Sequence, residues 1–444
     1  MNRRILFYIV LELLISLAVV SSITEDSENF VQSRKTRDAL EEPTSKVNYT
    51  GNQIWKTKLI NDQHKKVIMS LRNQGLIQTW GGNRTSLDIL VNPINLNEVA
   101  DTLRNNDILY NIIIDNLQQA IEDENPPITH DNEDRQGHRM TWNSYHRTSD
   151  IWGFIDYLAQ TFPDFCKVFT IGQTHEKRDI KVLKISNGKV GNKAVWIDGG
   201  MHAREWISPA VVTYIINQLV YNLDNEPDYM QNIDYYIAPV MNPDGYEYSH
   251  TIDRIWRKNR RPNDPTLSGF KLCYGTDLNR NFGYKWGLGG TSKDPCDVTY
   301  GGTRPFSELE SKAMKEFIQG TAANWKAYIS FHSYGQYILY PWGYASAVTT
   351  DYKDLQNVAH KAGAAIRAAG GPTYTIGPAA STLYPAAGGS DDWAKGVVRM
   401  KYSYTIELRD DGRYGFVLPA SYIQVTSKEA LAAVRVIVEA ASQA

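Results

Sequence analysis

The spacing of hydrophobic and polar positions changes along the chain. Over residues 47–125, short strand-like alternations such as Ser86–Val91 are followed by segments with helical spacing such as Leu96–Asn105. From Met140 onward, compact apolar segments alternate with longer amphipathic ones. The pattern predicts a small α+β domain over residues 47–125, followed by a larger α/β domain.

The larger domain, residues 140–444, has the pattern of a mixed, mostly parallel sheet with helices on both faces. The strand candidates are Lys181–Ile185, Ala194–Asp198, Tyr235–Val240, Ala327–Phe331 and Tyr402–Ile406. The helix candidates between them are Pro209–Val220, Ser307–Ile318 and Leu355–Ala368. Ligands of such sheets bind beyond the carboxyl ends of the strands, so we expect the functional residues in the segments that follow the strands.

Residues 1–22 have the pattern of a cleavable signal peptide. Two arginines precede an apolar stretch from Ile5 to Val20, which is followed by small residues. The stretch contains Glu12 and is short of the ~20 clean apolar residues that a spanning helix needs, and no later segment is long enough. We therefore predict a secreted, extracellular protein without a membrane anchor.

Two polar segments separate the predicted domains from their surroundings. Residues 23–46 are charged and lack a strong apolar period, which predicts a flexible leader. Residues 126–139 are polar and interrupted by proline, which predicts an exposed linker. We expect proteolytic cleavage of this linker after Arg135 or after Arg139.

The composition excludes some partners and indicates a disulfide. Lys plus Arg number 47 and Asp plus Glu 49, and a net charge of -2 does not indicate binding to nucleic acid or an anionic membrane. In an oxidising compartment we predict a disulfide between Cys273 and Cys296, with Cys166 as a buried thiol in an apolar run. Two sequons, at Asn48 and Asn83, are candidate glycosylation sites.

Candidate metal ligands follow two of the predicted strands. His202 and Glu205 come three residues apart after the strand Ala194–Asp198, and His332 follows the strand Ala327–Phe331. Side chains at these positions would meet at the same edge of the sheet. Two imidazole nitrogens and a carboxylate oxygen suit zinc. The sequence predicts one zinc ion in the larger domain, with a fourth position open for water.

The segments around these ligands resemble the zymogens of the pancreatic carboxypeptidase A/B family of zinc metallopeptidases. The resemblance covers the chain from about Val47 to the C-terminus, and a His₂Glu zinc site is that family's own pattern. It implies hydrolysis of the C-terminal peptide bond, with release of single residues. The matching segments are Asp198–Ile207, Asn242–Tyr246, Trp256–Arg260, Asp277–Phe282, His332–Tyr334, Tyr384–Ser390 and Glu407–Phe416.

The resemblance also implies roles for individual residues. Glu407 would be the general base that takes a proton from the attacking water, and Arg257 would help to hold the oxyanion of the tetrahedral intermediate. A planar guanidinium is the best receptor for a free terminal carboxylate. The residues that match the family's carboxylate anchors are Asn279, Arg280 and Tyr384, and those that match its neighbouring peptide subsites are Arg204, Ser333 and Tyr334.

The preference for the terminal residue depends on Asp391. It stands where B-like members of the family carry an acid and A-like members an apolar residue, and a buried carboxylate there would pair with a substrate Lys or Arg. Ala379 resembles the open B-like pocket, whereas Gly343 is more A-like. We expect release of Lys or Arg. The alternative is A-like release of apolar or aromatic residues, with Asp391 turned away or paired internally, as we expect for Asp392.

The domain at residues 47–125 resembles the family's activation segment, which caps the active-site cleft until a trypsin-like protease cuts the linker. Peptide and protein C-termini are then the expected substrates, and we expect a monomer. Two alternative interpretations are that the chain is a non-catalytic binding protein on the same fold or a zinc amidohydrolase. The presence of all three metal ligands and of Glu407 argues against the first, and the activation-like domain and the carboxylate anchors argue against the second.

Overall fold

The computed structural model describes residues 45–127, 137–269 and 271–444. The predicted signal peptide, the leader up to residue 44 and Arg135 in the linker lie outside the described residues. The described chain forms one sheet of four strands and one of eight. In these ranges, no helix combines the length and the apolar character that crossing a membrane requires.

The first sheet is antiparallel, with the strand order β2-β3-β1-β4. Its strands are β1 (Gln53–Lys58), β2 (Ile77–Gly82), β3 (Ser86–Val91) and β4 (Tyr110–Ile114), and its helices are α1 (Asp62–Asn73), α2 (Leu96–Asn105) and α3 (Leu117–Glu124). Asn61 and Asn116 accept hydrogen bonds from backbone N–H groups in the first turns of α1 and α3, so both helices begin at a side-chain cap.

Adjacent residues of β1 serve the two faces of this sheet. Trp55 packs with α1 and α2 through Ile68 and Leu103, which gives the small domain a core of its own. Ile54 points the other way and joins a buried cluster that contains Phe416 of the larger domain. The alternation of a strand therefore builds both the core of the small domain and its contact with the larger one.

The second sheet is mixed, with the order β11-β10-β12-β9-β7-β8-β6-β5. Its four central strands, β12, β9, β7 and β8, run parallel, and antiparallel pairs flank them. The strands are β5 (Cys166–Gln173), β6 (Asp179–Ile185), β7 (Lys193–Asp198), β8 (Ile233–Ala238), β9 (Asn324–His332), β10 (Tyr337–Tyr340), β11 (Thr375–Pro378) and β12 (Tyr402–Glu407).

Helices cover both faces of this sheet. In β7, Val195 and Ile197 face one buried cluster, which includes α4, α5, α9 and α12, while Ala194 and Trp196 face another, which includes Met314 of α8. The helices are α4 (Thr148–Thr161), α5 (Ile207–Asn222), α6 (Asp228–Gln231), α7 (Pro243–Thr251), α8 (Leu309–Gly320), α9 (Tyr352–Ala368), α10 (Ala379–Thr382), α11 (Ser390–Trp393) and α12 (Ile423–Gln443). The predicted fold class is confirmed.

Candidate active site

The three predicted metal ligands meet at the carboxyl ends of two neighbouring strands. His202 and Glu205 lie in the turn between β7 and α5, and His332 is the last residue of β9. The parallel register pairs Asp198 with Ser330, so β7 and β9 end at the same edge of the sheet. The potential ligand atoms of the three residues all lie within 4.8 Å of one another, and all three side chains are buried.

Hydrogen bonds on the far side of each imidazole fix which nitrogen faces the cluster. His202 Nε2 lies 3.1 Å from Asp277 Oδ1, and His332 Nε2 lies 3.0 Å from Ser330 Oγ. The Ser330 hydroxyl donates to Asp198 Oδ1 at 2.6 Å, so its oxygen is left to accept from His332. Both imidazoles therefore carry their proton on Nε2 and present an Nδ1 lone pair, an orientation typical of metal-binding histidines.

This arrangement leaves three acceptors facing one another. The two Nδ1 atoms are 3.1 Å apart, and the Glu205 carboxylate lies 2.8 Å from one and 3.0 Å from the other. Acceptors packed this closely need a cation between them. Without a metal only a proton can serve, and although burial lowers the pKa of His332, Glu205 raises it to about 9. The donor set and its geometry fit zinc.

Two further groups border the ligands. Glu407 ends β12, where the register pairs it with His332, and burial raises the pKa of its carboxyl to about 7. Arg257 donates to Asp277 Oδ2 from Nη2 at 2.8 Å, and its Nη1 lies 3.7 Å from Glu205. Burial would raise the pKa of Asp277, but Arg257 holds it well below its usual range. Asp277 is thus an anion that orients both His202 and Arg257.

A cavity extends from the metal ligands to the predicted carboxylate anchors. Asn279 and Arg280 follow Asp277 in a short 3₁₀ turn, and Tyr384 stands across the cavity, 42% exposed. Asp391 lines the same cavity from the first turn of α11 and is 6% exposed. The structure therefore brings the predicted anchors and Asp391 together in one cavity with two of the metal ligands, His202 and Glu205.

The predicted peptide subsites lie where the small domain contacts the larger one. Arg204 donates to the Trp80 carbonyl at 3.2 Å, and Tyr334 donates to Asp88 Oδ2 at 2.6 Å. Ser333 is buried, and its N–H donates to Glu205 Oε2 at 3.2 Å. The small domain thus covers the predicted subsites on one side of the metal ligands.

The structure also bears on the predictions for Asp392 and for the three cysteines. Asp392 accepts hydrogen bonds from the backbone N–H groups of Gly343 and Tyr344 at 2.8 and 2.9 Å, so it is paired internally. Cys273 and Cys296 form a disulfide. Cys166 is a buried free thiol, and burial raises its pKa to about 12.

Sequence reasoning did not assign the residues behind the ligands. Asp277, Ser330 and Asp198 orient the two imidazoles, and each was visible only as a polar residue in a matched motif or at the end of a strand. A signal was present in Asp198 and Ser330, because a polar side chain inside an apolar strand needs a buried partner.

Together, the mixed sheet and a buried His₂Glu cluster beside a carboxylate define a single-zinc hydrolase. A family model described as zinc carboxypeptidase matches residues 151–433, and one described as carboxypeptidase activation peptide matches residues 55–124. The chain therefore belongs to the zinc carboxypeptidase family and carries an activation peptide.

Individual relatives and structures agree with this assignment. Carboxypeptidase B of Astacus astacus is 44% identical over 67% of this chain and 97% of its own, and carboxypeptidase B of Rattus norvegicus is 36% identical over 88% and 94%. The structure is similar to thrombin activatable fibrinolysis inhibitor, with a TM-score of 0.80, 33% identity and coverage of 89% of this chain and 100% of that one. Carboxypeptidase A from Helicoverpa armigera also gives a TM-score of 0.80, at 28% identity over 89% of this chain and 98% of that one.

Proposed function

We propose that the activated enzyme releases Lys or Arg from the C-termini of peptides and proteins. The observation that carries this proposal is the position of Asp391, which lines the cavity that also contains the carboxylate anchors. Asp391 is 6% exposed, and hydrogen bonds from Thr405 and from backbone N–H groups offset only part of the cost of burying its charge; a Lys or Arg side chain of a substrate would supply the opposite charge.

The small side chain of Ala379 supports this assignment. Ala379 lines the same cavity and leaves room for a long side chain, while Gly343, which also lines it, is the more A-like residue. Asp392 is already occupied by two backbone N–H groups, so it does not compete for the substrate cation. The relatives at 44% and 36% identity that bear the name carboxypeptidase B fit the same preference.

The substrate's terminal carboxylate would bind at Arg280 and Asn279, with Tyr384 closing over it. Arg280 donates from Nε to the Gly290 carbonyl at 2.9 Å and from Nη1 to the Asn279 carbonyl at 2.9 Å, so its guanidinium is held in place. A fixed planar fork recognises a carboxylate through paired hydrogen bonds. Because this anchor binds a free terminal carboxylate, the enzyme would cut only the last peptide bond.

The residues beside the anchor would carry the chemistry. Zinc, bound by His202, Glu205 and His332, would supply Lewis-acid activation of a water and of the scissile carbonyl. Glu407 would accept the proton of the attacking water on its carboxylate and return it to the leaving amine nitrogen. Arg257, oriented by Asp277, would donate hydrogen bonds to the developing oxyanion.

We further propose that the chain is secreted as a monomeric precursor. The activation domain at residues 47–125 covers the peptide subsites, and a trypsin-like protease would cut the linker at residues 126–139, after Arg135 or Arg139. The disulfide between Cys273 and Cys296 supports an oxidising, extracellular location.

The test is release of the terminal residue from four matched peptides that end in Arg, Lys, Phe or Leu. The precursor is treated with trypsin, and release is followed by mass spectrometry with and without a metal chelator. We expect release of Arg and Lys that the chelator abolishes. Release of Phe and Leu in preference would leave the zinc chemistry in place and overturn the basic preference.

A further inference from the structure

A buried hydroxyl joins the two chain segments that carry the metal ligands. Ser208 lies in the first turn of α5 and has no solvent exposure. Its Oγ accepts a hydrogen bond from the Gly200 N–H at 3.0 Å and donates one to the Phe331 carbonyl at 2.6 Å. A single hydroxyl can do both because it carries one donor hydrogen and two lone pairs. Ser208 therefore links the turn after β7 to the end of β9.

This link lies where the pairing of β7 with β9 ends. The last pair of the ladder is Asp198 with Ser330. Beyond this pair the chain turns from β7 towards α5, whereas β9 continues to His332. Buried backbone N–H and carbonyl groups are costly without a partner, and the Ser208 hydroxyl supplies one to each chain just past the last pair.

Each backbone group that Ser208 binds lies close to a metal ligand in the chain. Gly200 stands two residues before the first histidine ligand, and Phe331 stands directly before the second. The Ser208 N–H also donates to the carbonyl of Glu205, the third ligand, at 3.0 Å. One residue therefore contacts the backbone at or beside all three ligands.

The turn after β7 packs tightly on α5. A Cβ added at Gly199 would lie 2.7 Å from Ser208 Oγ and 2.9 Å from the Val212 side chain. Gly200 has a φ of 62°, and a Cβ added there would lie 3.0 Å from Pro209. Because both positions are glycine, the turn can approach α5 closely enough for the hydrogen bond to Ser208.

We propose that Ser208 is a positioning residue of the zinc site: its hydroxyl sets the distance between the turn that carries two of the ligands and the strand end that carries His332. The bonds on the far side of each imidazole fix the orientation of the rings, and Ser208 fixes the spacing of the backbone segments that hold them. Ligands that already have the right spacing need no rearrangement when the metal binds, which strengthens binding. The proposal concerns zinc binding and does not depend on which terminal residue the enzyme releases.

The test is the zinc affinity of the uncleaved precursor, measured by competition with a chromophoric chelator. We expect Ser208→Ala to weaken zinc binding about 10- to 100-fold, as is typical when a group that orients metal ligands is lost. Ser208→Thr keeps a hydroxyl and should bind zinc within about threefold of wild type. Thr213→Val is the matched control, because it removes another buried hydroxyl of α5, which donates to the Ala210 carbonyl of the same helix, and it should leave the affinity unchanged.

A second readout separates positioning from a general loss of stability. Cobalt(II) in place of zinc gives a visible absorption spectrum that depends on the geometry of the ligands. We expect Ser208→Ala to change this spectrum, and Ser208→Thr and Thr213→Val to keep that of wild type. Unchanged zinc affinity in Ser208→Ala would overturn the proposal. Equal losses in Ser208→Ala and Ser208→Thr would also overturn it, because the hydroxyl would not be the cause.

The wild-type precursor gives a further test that does not require a variant to fold. If Ser208 holds the turn, the Gly200 amide stays protected from hydrogen exchange after zinc is removed by a chelator, with a rate within about tenfold of that in the zinc-loaded protein. A larger rise in the exchange rate would show that the metal, and not Ser208, holds the turn, and would overturn the proposal.

Discussion

Glu407 is the residue whose loss should separate chemistry from binding. Its carboxyl lies beside the metal ligands, whereas Arg280, the proposed receptor of the terminal carboxylate, lies on another segment of the same cavity. We predict that Glu407→Gln lowers kcat by roughly 10²- to 10⁴-fold, because general base catalysis is lost, with little change in KM. Steady-state kinetics on an Arg-ending peptide measure this, with exposed Glu439→Gln as the control. An equal rise in KM would mean that Glu407 mainly binds substrate.

Glu310 gives a prediction for pH-dependent stability. It is buried in the first turn of α8, and burial, reinforced by Glu308, raises the pKa of its carboxyl from about 4.5 to about 8. The folded protein therefore keeps a proton that the unfolded chain releases, so this residue's contribution to stability falls as pH rises from about 4.5 to about 8.

The variant Glu310→Gln removes this dependence. Its amide oxygen can still accept the hydrogen bond from Asn259 that Glu310 accepts at 3.0 Å. We predict that the melting temperature of Glu310→Gln rises relative to wild type between pH 5 and pH 8, by thermal unfolding across that range. Glu316→Gln, on the exposed side of the same helix, should show no such trend, and a constant offset for Glu310→Gln would contradict the assignment.

At the scale of elements, the central strands could be predicted from sequence and the outer ones could not. The five strand candidates correspond to β6, β7, β8, β9 and β12, whose apolar runs are buried on both faces. β10 and β11 have four residues each, and β5 is interrupted by Lys167, Thr170 and Gln173, so their pairing depends on neighbours far away in the chain. Tertiary context decides such strands.

The candidate site could also be predicted only in part from the sequence. His202, Glu205 and His332 could be placed because each follows a strong strand pattern, and strand ends meet at one edge. The orientation of their imidazoles could not, because it depends on Asp277, 75 residues from His202, and on the Asp198–Ser330 contact, 132 residues apart. Local patterns carry no information on such distant partners.

Strand β2 should limit the access of peptides to the active site in the uncleaved precursor. Gly81 contacts the ring and hydroxyl of Tyr334, so Gly81→Ala should push the activation domain away from that subsite. We predict measurable release of Arg from a long peptide by the uncleaved Gly81→Ala precursor, at a rate at least about tenfold above wild type. Gly153→Ala, where an added Cβ has open space, is the matched control. An unchanged rate would show that this contact does not limit access.

On the scale of the whole molecule, a buried ion pair joins the two domains. Arg254 donates from Nε to Glu124 Oε2 at 2.7 Å, and its guanidinium lies 3.7 Å from the centre of the Trp206 ring. Glu124 is the last residue of α3, the last helix of the activation domain. Cleavage of the predicted linker and release of this domain would therefore separate the pair and expose Arg254 to water.

Removing one partner should affect only the uncleaved molecule. Glu124→Ala leaves Arg254 buried without its anion, and we predict a loss of about 3–5 kcal/mol in the unfolding free energy of the precursor. The isolated catalytic domain lacks residue 124 and should melt as in wild type after cleavage. Calorimetry of both forms measures this, with exposed Glu122→Ala as the control. An equally stable Glu124→Ala precursor would contradict the role of the pair.

The central claim is that the enzyme recognises both the terminal carboxylate and the basic side chain of the same C-terminal residue. The direct measurement is the ratio of kcat/KM for matched peptides ending in Arg and in Leu, in the activated wild type and in Asp391→Ile. We predict a ratio that favours Arg in wild type and falls by about 2–5 kcal/mol, or roughly 30- to 4,000-fold, in the variant, because a buried charge pair is lost. A wild-type preference for Leu, or a ratio that Asp391→Ile leaves unchanged, would contradict the account.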